Sequence, residues 1–103
     1  MAEKGIDMLR RLLGDDRAIE IRNDWAKLSP DFAHYVTTFI AGEIWSRPHL
    51  DLRTRSLVTI AGLTALNRPN ALRLNVEMAL NNGAKKEEIL EALLQMAPYA
   101  GFP

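Results

Sequence analysis

Asp51–Gly83 reads DLRTRSLVTIAGLTALNRPNALRLNVEMALNNG, and its punctuation decides the fold. Asp51 can cap a helix N-terminus, and the run Leu52–Leu66 after it is apolar on nearly every side beyond Arg55. The spacing therefore predicts a helix that is the central, most buried element of the molecule. Asn67-Arg68-Pro69 breaks it, and Pro69 suits the first turn of the next helix, where its missing N–H costs nothing. Asn82-Gly83 ends that second helix with a residue able to take positive φ. On it Leu72, Asn75, Val76 and Ala79 share one face at helical spacing, which puts a polar amide among residues that should meet a core. Asn75 is there either as a hydrogen-bonded structural amide or as part of a site.

The same helical grammar extends in both directions. Ala2–Leu13 forms a first amphipathic piece with Ile6, Leu9, Leu12 and Leu13 as its stripe, stopped by Gly14. A second, more polar piece covers about Asp16–Lys27. Ser29-Pro30 supplies a cap followed by a first-turn proline, and the helix it opens should run to about Ile44 with Phe32, Val36, Phe39 and Ile40 inward. WSRPHLD is a turn, because Pro48 forces Arg47 out of helical geometry. A last helix begins near Lys85, sets Glu87 and Glu88 against its positive end and should bury Ile89, Leu90, Leu93, Leu94 and Ala97. Pro98 removes a backbone donor, so a kink or an end is expected there. Strand-like alternation is nowhere long enough for a sheet, and the fold class is all-α with five to six helices.

Composition narrows the function. At 103 residues the chain is one domain's worth, 1–103, with a core so small that help from a second subunit is expected. Thirteen basic and thirteen acidic residues cancel, so no field draws the protein to nucleic acid or anionic lipid. Cysteine is absent, which removes disulfides, thiolate metal sites and thiol redox chemistry. The uncharged stretch Ser56–Asn67 is far below the roughly 20 apolar residues of a membrane span, and the N-terminus has no secretory core. A soluble, cytoplasmic protein is expected. His34 and His49 share no ligand spacing, so neither a metal nor another cofactor is expected.

Two groups of polar residues look out of place. Glu43 continues the stripe Phe32, Val36, Phe39 by one more helical step, and a carboxylate driven inward must be paired or have its pKa raised. Fraying that turns it outward, or pairing with Arg47 or Arg55, is the bland alternative. Arg47, Arg53 and Arg55 cluster around the WSRP turn and the helix after it, and arginine grips carboxylates with a bidentate fork. Solvated arginines, or bridges to Asp51, would explain the same residues structurally.

GEIWSRPHLDLRTRSLVTIAGLTAL at Gly42–Leu66, followed by LRLNVEMALNNGAKKEEILEALLQMAPYAGFP at Leu72–Pro103, resembles the carboxymuconolactone decarboxylase family. The likeness runs from about Ser29 to the end. It implies a helical subunit of the alkylhydroperoxidase D-like type that assembles as a homo-oligomer, a trimer or hexamer. The family's peroxidase branch uses a CxxC pair with a glutamate before it and a histidine after it. Those four positions hold Ser56, Arg68, Ala71 and Asn75 here, so that mechanism cannot operate.

The decarboxylase branch, whose TRSLV segment matches Thr54–Val58, lacks the cysteines and implies 4-carboxymuconolactone, or a related small carboxylated lactone, as substrate. Loss of carbon dioxide leaves electrons delocalised into the unsaturated lactone. The reaction then needs cations for two carboxylates, a donor at the lactone oxygen and a proton for carbon. The resemblance implies Arg47, Arg53 or Arg55 for the first, Trp45 and Tyr99 as wall or donor, and Glu43 as proton source. It also puts histidine, in most relatives, where this chain has Asn75. An amide donates to an oxyanion but delivers no proton at neutral pH. A non-catalytic helical oligomer that binds a small acid is the competing reading, supported by Asn75 and by an ending short of the further helix relatives usually carry after the YAG motif.

Overall fold

A computed structural model of the protein describes residues 2–101, and every regular element among them is helical. The elements are α1 (Ala2–Leu13), α2 (Asp15–Leu28), α3 (Pro30–Tyr35) continuing into a π-helical segment (Val36–Ile44), then α4 (Leu52–Ala65), α5 (Pro69–Asn81) and α6 (Lys86–Ala100). The all-α expectation holds. These helices group into two compact units, the first ending at His49 and the second starting at Leu50.

In the first unit α1 buries Ile6, Leu9, Leu12 and Leu13, the stripe its spacing predicts, together with Met8. Gly14 turns the chain into α2 at φ 85° and ψ 162°, a region that only glycine enters cheaply. Ser29 Oγ accepts the Phe32 N–H at 3.2 Å and Pro30 occupies the first turn, as expected. Beyond Tyr35 the helix departs from expectation. Its ladder widens from four residues to five, and the Trp45 N–H reaches back to Ile40 O at 2.9 Å.

That wider turn moves the inward face. Ala33, Thr37, Ala41 and Trp45 are buried at regular four-residue spacing, with Gly42 beside them. Phe32, Phe39 and Ile40, expected inside on a 3.6-residue period, are 46%, 51% and 42% exposed. Small residues win the buried face because backbone meets backbone there. A Cβ built on Gly5 of α1 would stand 1.8 Å from Thr37 O, and one on Gly42 would lie 3.4 Å from Gly5 Cα. Glu43 is carried outward by the same geometry and is exposed, a correction to its expected inward position.

In the second unit α4 packs against both α5 and α6. Ile60, Ala79, Ala84 and Ile89 form its buried core, with Leu57, Leu72, Val76 and Leu93 packed around them. Asp51 caps α4 as expected, its Oδ1 accepting the Thr54 N–H at 2.7 Å. The expectation that α4 is buried on nearly every side is corrected: Ser56 and Ile60 are buried, while Val58 is 58% exposed. A three-helix unit can cover only part of a helix's circumference, and α4 keeps one apolar flank uncovered.

Both ends of α5's neighbourhood close with the same device. Ala84 N–H bonds Ala79 O and Gly83 N–H bonds Leu80 O, with Gly83 at φ 89°, a Schellman ending. Arg68 N–H and Asn67 N–H repeat the pattern on Leu63 O and Thr64 O, with Asn67 at φ 56°. On α6 Ile89 is buried, but Leu90 and Leu94, expected inside, are exposed. Pro98 does not end α6, which runs on to Ala100 before Gly101 takes φ 86°.

Candidate active site

Four of the implied site residues belong to the second unit. Arg53 and Arg55 rise from the first turn of α4, both half-buried. Arg53 Nη1 donates to Glu88 Oε2 on α6, and Arg55 Nη2 lies 3.4 Å from Leu50 O. Two guanidiniums thus stand at the end of a helix that already carries partial positive charge. Asp51 and Glu88 offset that field. The Thr54 N–H above all, then the Thr54 hydroxyl, holds the Asp51 carboxyl below the usual carboxylate range; burial opposes this slightly and Arg53 adds a further pull. A bound carboxylate would meet a cationic helix end whose neighbouring acids are already engaged.

Asn75 is half-buried on α5, beside Val76 of the core, and its Nδ2 donates to Ala71 O at 2.8 Å. That bond uses one of the amide's two N–H donors, the usual way a helical polar side chain satisfies itself. Turning the whole amide away from Ala71 O would cost about 1 kcal/mol of hydrogen bond. Tyr99, near the end of α6, is 78% exposed.

The other three belong to the first unit. Trp45 is buried where the π-helical segment ends, whereas Glu43 and Arg47 are exposed. Ser46 Oγ donates to Ala41 O at 3.3 Å and Arg47 N–H to Ile44 O at 3.2 Å, which tightens the turn that Pro48 demands.

Glu88 is the residue that sequence reasoning missed. It was legible as a first-turn acid of α6, but its partner is 35 residues away on α4 and only packing reveals it. One of its oxygens also accepts the Lys85 N–H at 2.8 Å, so a single carboxylate ties the start of α6 to the arginine of α4. Each unit also has a cavity. One of about 330 Å³ in the first unit is lined by Arg22, His34 and Thr38 among others, and one of about 380 Å³ in the second by Glu91, Leu94 and Gln95 among others. Neither is lined by the implied site residues. Among the described residues no group of three histidine, aspartate or glutamate side chains could hold a metal ion. None of the described helices is long and apolar enough to cross a membrane.

Comparison with known proteins bears on this arrangement. Residues 30–103 match the model of the Carboxymuconolactone decarboxylase family. A 4-carboxymuconolactone decarboxylase of Acinetobacter baylyi is 40% identical over 104 residues, covering 98% of this chain and 75% of that protein. A nitrosuccinic acid decarboxylase of Metarhizium robertsii is 30% identical over 101 residues, covering 98% of this chain and 71% of that one. An uncharacterised 15.0 kDa protein of Paracoccus denitrificans is 38% identical over 92 residues, covering 86% and 63%. With its residues from Pro30 onward matched to the family model and decarboxylases among its relatives over nearly its whole length, this helical chain belongs to the carboxymuconolactone decarboxylase family.

Proposed function

We propose that the protein catalyses cofactor-free decarboxylation of 4-carboxymuconolactone or a related small acid. The observation that carries the reading is the pair Arg53 and Arg55 on the first turn of α4, in a chain similar to decarboxylases over nearly its whole length. 4-Carboxymuconolactone and nitrosuccinic acid, in the names of two relatives, each combine two carboxylates with an electron-withdrawing group. The substrate class is therefore an acid with a carboxylate to hold, a second to lose, and an acceptor for the electron pair that the breaking C–C bond leaves behind.

In this mechanism Arg53, Arg55 and Arg47 hold the carboxylates, and the electron pair moves into the lactone as carbon dioxide departs. Asn75 donates to the developing oxyanion, Trp45 and Tyr99 form walls, and Glu43 protonates carbon. The chain works as a single domain, 1–103, within a homo-oligomer, a trimer or hexamer. Support for assembly is the apolar surface that each unit leaves uncovered: Phe39 and Ile40 near Glu43 in the first, Val58, Leu90 and Leu94 in the second. Association would bring Glu43 out of bulk water. Mass measurement in solution tests it, and a monomer at assay concentration refutes it.

The deciding experiment adds purified protein to 4-carboxymuconolactone and follows loss of its absorbance; no turnover at high protein concentration refutes this substrate. A structure of the oligomer with a substrate analogue should gather Glu43, Asn75 and at least one arginine around the ligand. Their dispersal refutes the roles. An amide at Asn75, with no transferable proton, favours a second reading, a helical oligomer that binds a small acid without reaction; saturable binding of the lactone with no product would establish it.

A further inference from the structure

We propose that the cavity of the first unit is a binding site for a small organic anion, a carboxylate on a short apolar body, gripped by Arg22. Arg22 lies on α2 midway between Ala18, which is fully buried, and Ala26, which lines the cavity with it. The guanidinium therefore rises from the inward face of the helix. Positions one turn away on either side, where an acid would pair with it along α2, hold Ala18, Ile19, Trp25 and Ala26. Among the described residues no carboxylate is paired with it. An arginine on an inward helix face without an acid is an unusual expense in a small unit, and a ligand carboxylate matches its bidentate fork.

The rest of the lining fits that ligand. His34 and Thr38 line the cavity with Arg22, His34 Nδ1 lying 3.4 Å from Thr38 Oγ1, and among the described residues no acidic side chain lines it. Ile6 and Ala33 supply apolar wall for a hydrocarbon body. At about 330 Å³ the space is at the small end of ligand pockets, which run from about 300 to 1,000 Å³, and it suits a compact acid. Thr37 also lines the cavity. Thr38, Thr59 and Thr64 return their hydroxyl protons to the carbonyl four residues back, but the buried Thr37 Oγ1 has no partner among the described residues.

None of these residues has a part in the proposed decarboxylation, so the two readings stand or fall separately. Benzoate is the probe, titrated into the full-length protein and followed by NMR at the His34 ring and the Thr37 and Thr38 methyl groups. Benzoate should shift these signals saturably, and benzamide, the same shape without the charge, should bind at least about tenfold more weakly. Arg22→Gln should weaken benzoate by a similar factor, and Arg22→Lys, which keeps the charge but not the fork, by less. Equal binding of benzoate and benzamide, shifts confined to residues outside the first unit, or unchanged affinity in a folded Arg22→Gln variant would overturn the assignment. The comparison of two ligands on the unaltered protein decides the matter even if the variants do not fold.

Discussion

Glu88 carries two separable loads, and its replacement by alanine and by glutamine should distinguish them. One oxygen accepts the Lys85 N–H at the start of α6 at 2.8 Å, and the other accepts from Arg53 on α4. The Arg53 and Glu88 side chains are 42% and 34% exposed, so the ion pair is screened by solvent and should be worth about 0.5 kcal/mol. Negative charge at the helix start adds a similar amount, and the capping hydrogen bond about 1 kcal/mol. Glu88→Ala loses all three, about 2 kcal/mol. Glu88→Gln keeps an amide oxygen for the Lys85 N–H and should lose about 1 kcal/mol. In a chain of this size each kcal/mol shifts Tm by about 4–8 °C, so thermal unfolding by circular dichroism at fixed protein concentration separates the variants. A cycle with Arg53→Met isolates the pair; its coupling should be about 0.5 kcal/mol at low salt and fade in about 1 M salt, where the screening length is near 3 Å. Equal Tm values for the alanine and glutamine variants would refute the capping role. Zero coupling at low salt would refute the pair.

Three further outcomes rest on named contacts. Gly5→Ala puts a methyl against Thr37 O, a backbone atom that cannot swing away, and should cost about 3 kcal/mol or more; Gly62→Ala, in open space inside α4, should gain about 0.4–1 kcal/mol, so the two variants must move Tm in opposite directions. The lowered pKa of Asp51 means that its carboxylate contributes stability above the ordinary carboxylate range, lost as pH falls through the depressed folded value; Asp51→Asn should therefore flatten the acid side of the stability profile, and an unchanged acid limb would contradict the capping account. Asn75→His places a transferable proton on α5 and should raise turnover of 4-carboxymuconolactone at neutral pH, whereas an inert, folded variant would point to another substrate or to binding without reaction.

Local chemistry was legible wherever a few neighbouring residues decide the outcome. Asp51 and Ser29 cap the helices they were expected to cap, Pro30 and Pro69 sit in first turns, and Gly83 takes the positive φ that ends α5. Such features depend on contacts three to five residues apart, which the chain order itself supplies. Side-chain direction was less legible. Phe39 and Glu43 were placed on a 3.6-residue period, but close approach of Gly5 and Gly42 accompanies a wider turn beyond Tyr35 that rotates them outward.

By itself, then, the sequence determined that this protein is helical, where most of its helices begin, that thiol chemistry is closed to it, and its likeness to the decarboxylase family. Tertiary structure alone decided which faces are covered, that Arg53 is held by Glu88, and that Arg22 lines a cavity without a carboxylate partner among the described residues. The physical reason is one of range. Caps and turns are local, so their energies are written into adjacent residues, whereas burial and ion pairing between helices depend on how backbones approach, which at Gly5 and Gly42 is settled by the absence of two methyl groups.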